Sequence, residues 1–164
     1  METLFTEIET YLDKEVIKAL ITKYFRAIDD KCADLDIIKD IFTTDAKITR
    51  PDGSVIAGHK GILEAYQHSI EKFKVTQHQT SDYIINVAYG LASVRANTMA
   101  MHMWADSDAT PLLNGTYFYN GVVVCAQAVR TKEKWQLQEL SFRSVWRLED
   151  GVHKVANFLK QRSA

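Results

Sequence analysis

The stretch KVTQHQTSDYII, residues 74 to 85, places His78 among polar residues just ahead of an apolar run. A neutral imidazole accepts a proton near pH 7, so a histidine facing a cavity is a ready general base. A histidine opening a strand also reads as exposed or structural, and both readings stand at this point. Upstream, Tyr24 lies on an apolar stripe and is followed by two adjacent carboxylates, Asp29 and Asp30. Asp29 is five residues beyond Tyr24, about 140° round an ideal helix, so the two can edge one cavity without forming a tight stripe. A phenol there would polarise a carbonyl or assist a departing hydroxyl. In the plainer reading Tyr24 is a core tyrosine, and one of the aspartates only ends the helix.

These side chains must be carried by helices first and strands afterwards. In LDKEVIKALITKYFRAIDDK the apolar positions Val16, Ile17, Leu20, Ile21, Tyr24, Phe25 and Ile28 form one helical stripe, with Asp13 as the expected N-cap. ADLDIIKDIFTTDA reads as a second, short helix through Leu35, Ile38, Ile41 and Phe42, capped by Asp34. Pro51-Asp52-Gly53 is turn chemistry inside a short hairpin. KGILEAYQHSIEKF reads as a third helix with Ile62, Leu63, Tyr66 and Ile70 on one face.

From residue 76 onward the period changes to four long strands rich in β-branched and aromatic residues, with turns at 88–90 and 131–134 and a longer loop at 106–115. On VRANTMAMHMWA, His102 shares parity with Ala100 and Trp104 and reads on position alone as an outward strand histidine, whereas Asn97 shares parity with Met99, Met101 and Met103. Asn97 reads either as a donor to a substrate oxygen or as an exposed strand residue; the methionines read as packing. His59, His68 and His153 read as solvent-facing. Helices followed by hairpin-linked strands indicate an α+β fold. Strands this long twist and coil, so the expected shape is three helices packed in the concave face of a strongly curved, mostly antiparallel sheet, a cone-shaped barrel with an apolar hollow.

Composition sets the remaining bounds. With 164 residues the chain reads as a single domain, its core at about 10–150 and its tail at 151–164. Hydrophobic residues make up 46% and charged residues 25%, as expected of a globular protein. A net charge of −1 offers no electrostatic footprint for nucleic acid or an anionic membrane. No apolar run approaches the ~18 residues that span a bilayer, and the acidic N-terminus lacks the pattern of a signal peptide, so a cytoplasmic location is expected. Cys32 and Cys125 fit no metal or redox spacing, and Cys125 within GVVVCAQAV reads as a small buried hydrophobe.

Four blocks carry a family resemblance: KYFRAIDDKCADLDIIKDIFTTDAKI, GHKGILEAY, TQHQTSDYII and KEKWQLQELSFRSVWR. The chain resembles the SnoaL-like, scytalone dehydratase-like branch of the nuclear transport factor 2-like superfamily over roughly residues 10 to 150. That resemblance implies a cone with a deep pocket and a homodimer or higher homo-oligomer formed through the sheet. The dehydratases of this branch pair an acid late in helix 1 with a histidine opening the strand after helix 3, the positions of Asp29 and His78. Tyr24 matches the tyrosine of their YF motif. A second histidine on the next strand corresponds to His102, and an arginine on the last strand, Arg143 with Arg147 as its rival, would bind an anionic or carbonyl group. The acid that bile-acid dehydratases and ketosteroid isomerases carry in the region of TMAMHM is missing, which argues against those two activities.

The resulting expectation is a lyase or isomerase needing neither cofactor nor metal, acting on a mostly apolar ring compound with an acidic C–H. His78 would be the base, Asp29 its orienting partner and Tyr24 a carbonyl or leaving-group contact, with His102, Arg143 and Asn97 binding substrate. The rival expectations are a non-catalytic binding or assembly domain on the same fold, and a structural subunit like the small subunit of ring-hydroxylating dioxygenases.

Overall fold

The computed structural model describes residues 2–105, 117–132 and 134–150; the expected loop at 106–115 and the tail at 151–164 lie outside these residues. Helix α1 runs Glu2–Asp29, α2 Leu35–Ile41 and α3 Gly58–Lys72. The strands are β1 Phe42–Thr49, β2 Val55–Ala57, β3 Phe73–Ala88, β4 Leu91–Trp104, β5 Tyr117–Thr131 and β6 Lys134–Asp150. They form one curled, unclosed sheet in the order β2-β1-β6-β5-β4-β3, antiparallel throughout except for the β1–β6 pair. The fold is therefore α+β, with three helices packed on a mixed six-stranded sheet.

The inner stripe of α1 seals the fold. Ile17, Leu20, Ile21, Tyr24 and Phe25 are buried against Ile38, Ile41, Phe42, Ile62, Tyr66, Leu137 and Leu140. Val16 departs from the expected stripe and faces outward. Two boundaries also differ from the sequence reading. Phe42 is not within α2 but caps its C-terminus, its N–H bonding the Ile38 carbonyl, and it is fully buried as the first residue of β1, which runs beside β6. Asp13 caps nothing, because α1 begins two turns or more before it. It sits mid-helix and accepts hydrogen bonds from the Arg130 guanidinium and from Trp135 Nε1 at 2.9 Å, tying the helix to the β5–β6 hairpin. Asp34 does cap α2, accepting from the Ile37 N–H at 2.8 Å.

Local backbone devices set which side chains face inward. Tyr89 and Gly90, both at positive φ, close the β3–β4 hairpin with a two-residue turn whose twist suits the strands. A bulge between Ser81 and Ile84, with Asp82 at φ 52°, shifts the alternation of β3. Without it His78 and Ile85, seven residues apart, would face opposite sides; with it both face the helices. A second bulge, on β6 opposite Gly121 and Val122, does the same for Arg147. Cys125 points outward and is exposed, contrary to its expected burial, since Val124 and Ala126 take the inner positions.

Trp135 is only 3% exposed, and its indole N–H depends on Asp13. Asp13→Ala leaves that buried donor unsatisfied and is expected to cost roughly 1–3 kcal/mol. Urea unfolding checks this: the midpoint falls at unchanged m-value, whereas a wild-type midpoint would show that the anchor carries no stability.

Candidate active site

Helix α1 stops where Lys31 turns left-handed at φ 51°, and its amide and that of Cys32 close back on Ile28 and Ala27. This leaves Asp29 as the last helical residue, facing β3, which is the edge strand of the sheet. One carboxylate oxygen accepts from His78 Nδ1 at 2.7 Å and from the Thr76 hydroxyl at 2.7 Å. The other accepts from the His78 backbone N–H at 2.8 Å. The His78 side chain is 8% exposed and that of Asp29 20%. A carboxylate only accepts, so Nδ1 must carry the hydrogen, and in the neutral ring Nε2 holds the free lone pair. Burial on its own would raise the Asp29 pKa. The hydrogen bonds from the His78 ring, Thr76 and the His78 amide, with the attraction of the imidazole, outweigh that and hold it below 3.8.

Aromatic rings fix the imidazole from two sides. Phe25 stacks on His78 at 4.7 Å between centroids, and His102 meets it edge-on at 5.1 Å. His102 in turn stacks on Phe118 at 4.3 Å and touches Phe73. His102 is thus inward, not the outward strand histidine its position suggested, because it shares parity with the buried Ala100. The strand register lays His78, Ala100, Asn120 and Arg147 in one row across β3, β4, β5 and β6, with Ala100 buried between the polar groups. The Arg147 guanidinium lies over the Phe118 ring at 4.0 Å. Around this row, Thr98 Oγ1, His102 Nδ1 and Asn120 Oδ1 are buried without a hydrogen-bond partner among the described residues. Buried polar atoms of this kind are costly unless something else satisfies them.

Three expected site residues lie elsewhere. Tyr24 is one side chain removed from the dyad: it packs on Phe25, Phe42, Tyr66 and Phe142, and lines a small cavity of about 70 Å³ with Arg50 and Ser69. Burial, partly opposed by Arg50, pushes its phenol pKa up, so it stays protonated. Arg143 pairs with Val123 on the outer face, and Arg147 is the arginine that turns inward. Asn97 also faces outward, where its amide donates to Asp82 at 2.8 Å and holds the β3 bulge. Of the remaining histidines, His68 is exposed as expected, whereas His59 is half-buried with Nε2 2.9 Å from the Phe42 carbonyl; His153 lies outside the described residues. Phe25, Thr76 and Asn120 were missed. Asn120 was legible, since it alternates in phase with Phe118, Val122 and Val124.

The dyad borders a groove of about 590 Å³ between the end of α1 and β3, lined by Phe25, Asp29, Thr76, His78 and Met101. Another hollow of about 410 Å³, by Arg95, Cys125 and Glu139, contains none of the dyad residues. Among the described residues no cluster of His, Cys, Asp and Glu is suited to a metal ion, and no helix is long and apolar enough to cross a membrane.

A model of the SnoaL-like domain matches residues 9–141. The chain belongs to the SnoaL-like domain family. Solved structures share its fold at low identity. A candidate scytalone dehydratase from Novosphingobium aromaticivorans is 14% identical with a TM-score of 0.72, over 87% of this chain and 91% of that one. A hexachlorocyclohexane dehydrochlorinase from Novosphingobium barchaimii is 12% identical with a TM-score of 0.75, over 88% and 94%. A candidate aromatic ring hydroxylase from Novosphingobium aromaticivorans is 22% identical with a TM-score of 0.72, over 85% and 94%. A search of curated proteins found no match.

Within this SnoaL-like domain His102 has a distinct electrostatic position. Burial pushes its pKa down to about 3, with His78, Arg147 and Lys72 adding repulsion against the pull of Asp29. Its neutral form is therefore the folded form. The unfolded chain binds a proton near 6.5 that the folded one refuses until about 3, so stability is complete above 6.5 and declines as pH falls across that window. His102→Phe is expected to flatten the slope there by up to about 1.4 kcal/mol per pH unit. Denaturant titrations at several pH values check it; an unchanged slope contradicts the assignment.

Proposed function

We propose that this domain is a cofactor-independent lyase or isomerase, with His78 as its base. The observation that carries the reading is the Asp29 carboxylate, which accepts the Nδ1 hydrogen and leaves Nε2 to take a proton. The substrate is a mostly apolar ring compound bearing a C–H acidified by a neighbouring carbonyl. Nε2 removes that proton, and Asp29 stabilises the imidazolium that forms. The electron pair of the broken C–H bond moves into an enolate. In an elimination it then forms the C=C bond as hydroxide or halide departs from the next carbon. In an isomerisation the imidazolium returns its proton to a different carbon.

The carbonyl oxygen needs hydrogen-bond donors that strengthen as charge develops on it. Thr98 Oγ1 and His102 Nδ1 stand next to the row that contains His78 and supply such donors in this reading, whereas Asn120 Oδ1 is an acceptor and suits a substrate hydroxyl instead. His102, held neutral, acts as a hydrogen-bonding group rather than an acid. Phe25 and Phe118 provide apolar walls for a ring. Tyr24 contributes through packing behind Phe25, and its phenol is placed toward Arg50 rather than the dyad.

A panel of cyclic ketones with a β-hydroxyl or β-halide and deuterium at the α-carbon tests this. His78→Ala is expected to lower kcat by about 10²–10⁴-fold, the usual worth of a positioned base. Asp29→Asn is expected to lower it by at least about 10-fold while leaving KM within a factor of about three, because it removes orientation rather than substrate contact. Turnover and deuterium loss unchanged in His78→Ala would remove this residue from the mechanism.

A further inference from the structure

The ring of Tyr24 is ordinary core; its hydroxyl is not. The residue is 8% exposed, and its ring meets Phe25, Phe42, Tyr66 and Phe142. A phenylalanine would keep all four contacts, so packing does not account for the oxygen. A buried phenol hydroxyl ordinarily has a hydrogen-bond partner, and among the described residues this one has none. It borders the cavity of about 70 Å³ where three elements converge: α1 with Tyr24, the turn after β1 with Arg50, and α3 with Ser69. Ile48 and Ile62 supply apolar walls. Tyr66 also lines this space, but its hydroxyl is engaged, donating to the Tyr24 carbonyl at 2.7 Å. The half-buried Ser69 hydroxyl, like that of Tyr24, has no partner among the described residues.

Arg50 is the only ionised side chain lining the cavity, and its exposure marks the entrance. Its charge opposes the rise that burial imposes on the Tyr24 phenol pKa, so the guanidinium acts on that hydroxyl. The Arg50 backbone is pinned in its turn, its N–H donating to the Ser54 carbonyl at 2.9 Å and its carbonyl accepting from the Gly53 N–H at 3.0 Å. No carboxylate pairs with the guanidinium among the described residues. Asp52 attracts it at longer range, but accepts instead from the Ser54 N–H at 2.9 Å and the Ser54 hydroxyl at 2.7 Å. A guanidinium without a carboxylate and two hydroxyls without partners therefore share one small space. A single positive charge suits a monoanion, and the planar fork favours two oxygens in a plane over a spherical halide. Size narrows the choice further. Benzene enters an apolar cavity of about 150 Å³, more than twice this volume, so a ring stays outside while a carboxylate enters. We propose that Arg50, Tyr24 and Ser69 form a receptor for one carboxylate group, the guanidinium forking its two oxygens and the phenol donating to one of them. Phe25 stands between this cavity and the imidazole, and the cavity shares no lining residue with the groove beside the dyad. The inference is therefore independent of the catalytic reading.

Titration of the ¹⁵N-labelled full chain with sodium acetate, replacing sodium chloride at constant ionic strength, tests it. The Arg50 Nε–H and the amides around Tyr24 and Ser69 are expected to shift saturably, with a Kd in the millimolar range. Tyr24→Phe is expected to weaken acetate binding by about tenfold, the worth of a hydrogen bond to a charged group. Its urea midpoint without acetate is expected to equal or exceed that of the wild type, because the ring contacts remain and an unsatisfied hydroxyl is gone. Arg50→Lys keeps the charge but loses the fork, and is expected to weaken binding by about tenfold as well. A parallel titration with cyclohexanecarboxylate identifies the carrier of the group. Tighter binding than acetate assigns the cavity to the anionic end of a ring compound, and binding of acetate alone assigns it to a free short acid; either result upholds the receptor. Shifts that stay linear in acetate would overturn it. So would an affinity unchanged in Tyr24→Phe, or a midpoint lowered by that substitution, which would give the hydroxyl a structural role.

Discussion

A single carboxylate joins the architecture of this protein to its chemistry. Asp29 accepts from the ring of His78, the amide of His78 and the hydroxyl of Thr76. The amide bond satisfies a donor on the free side of an edge strand, a group that would otherwise invite pairing with another chain. The ring bond orients a buried imidazole. Both depend on α1 ending at Asp29, and both would fail with the helix one residue longer or shorter, because the carboxylate would swing by about 100°. Partly burying a carboxylate is unfavourable on its own. Three hydrogen bonds, one from a group able to take positive charge, reverse the balance and keep it ionised.

The rest of the fold holds the two ends of that contact in place. An aromatic chain runs from Phe42 and Tyr66 through Tyr24 and Phe25 to His78, and on through His102 to Phe118. Rings in edge and stacked contact offer few alternative packings, so the dyad geometry is set by a rigid core rather than by a loop. Midway along α1, Asp13 fastens the helix to Trp135 and Arg130. The helix is thus tied to the sheet it covers at its middle and at its C-terminal end.

Much of this was legible in the sequence, and the failures have physical causes. The inner stripe of α1, the four long strands and the parity of His102 followed from period alone. The meeting of Asp29 with His78 did not: it came from family resemblance, because no local pattern shows that a helix end meets an edge strand. Arg143 was named ahead of Arg147 on the family resemblance alone; strict alternation from Leu140 and Phe142 turns both arginines outward, and the bulge that brings Arg147 back has no signature as clear as a glycine. Asn97 read equally as a substrate contact or an exposed strand residue, and it is the latter, holding the bulge at Asp82. The start of α1 was missed because its first three turns carry their apolar residues on the opposite side, so no single stripe spans the helix. Phe42 continued a helical spacing by coincidence, one residue after the end of α2 and at the first position of β1.

The account stands on His78 presenting Nε2 as an acceptor because Asp29 holds the hydrogen on Nδ1. Long-range ¹H–¹⁵N correlation spectra of the folded protein, recorded at a pH where the ring is neutral, read this tautomer directly. The account predicts that His78 carries its hydrogen on Nδ1, with Nε2 resonating as the unprotonated nitrogen. A His78 ring protonated at Nε2, with Nδ1 bare, would contradict it.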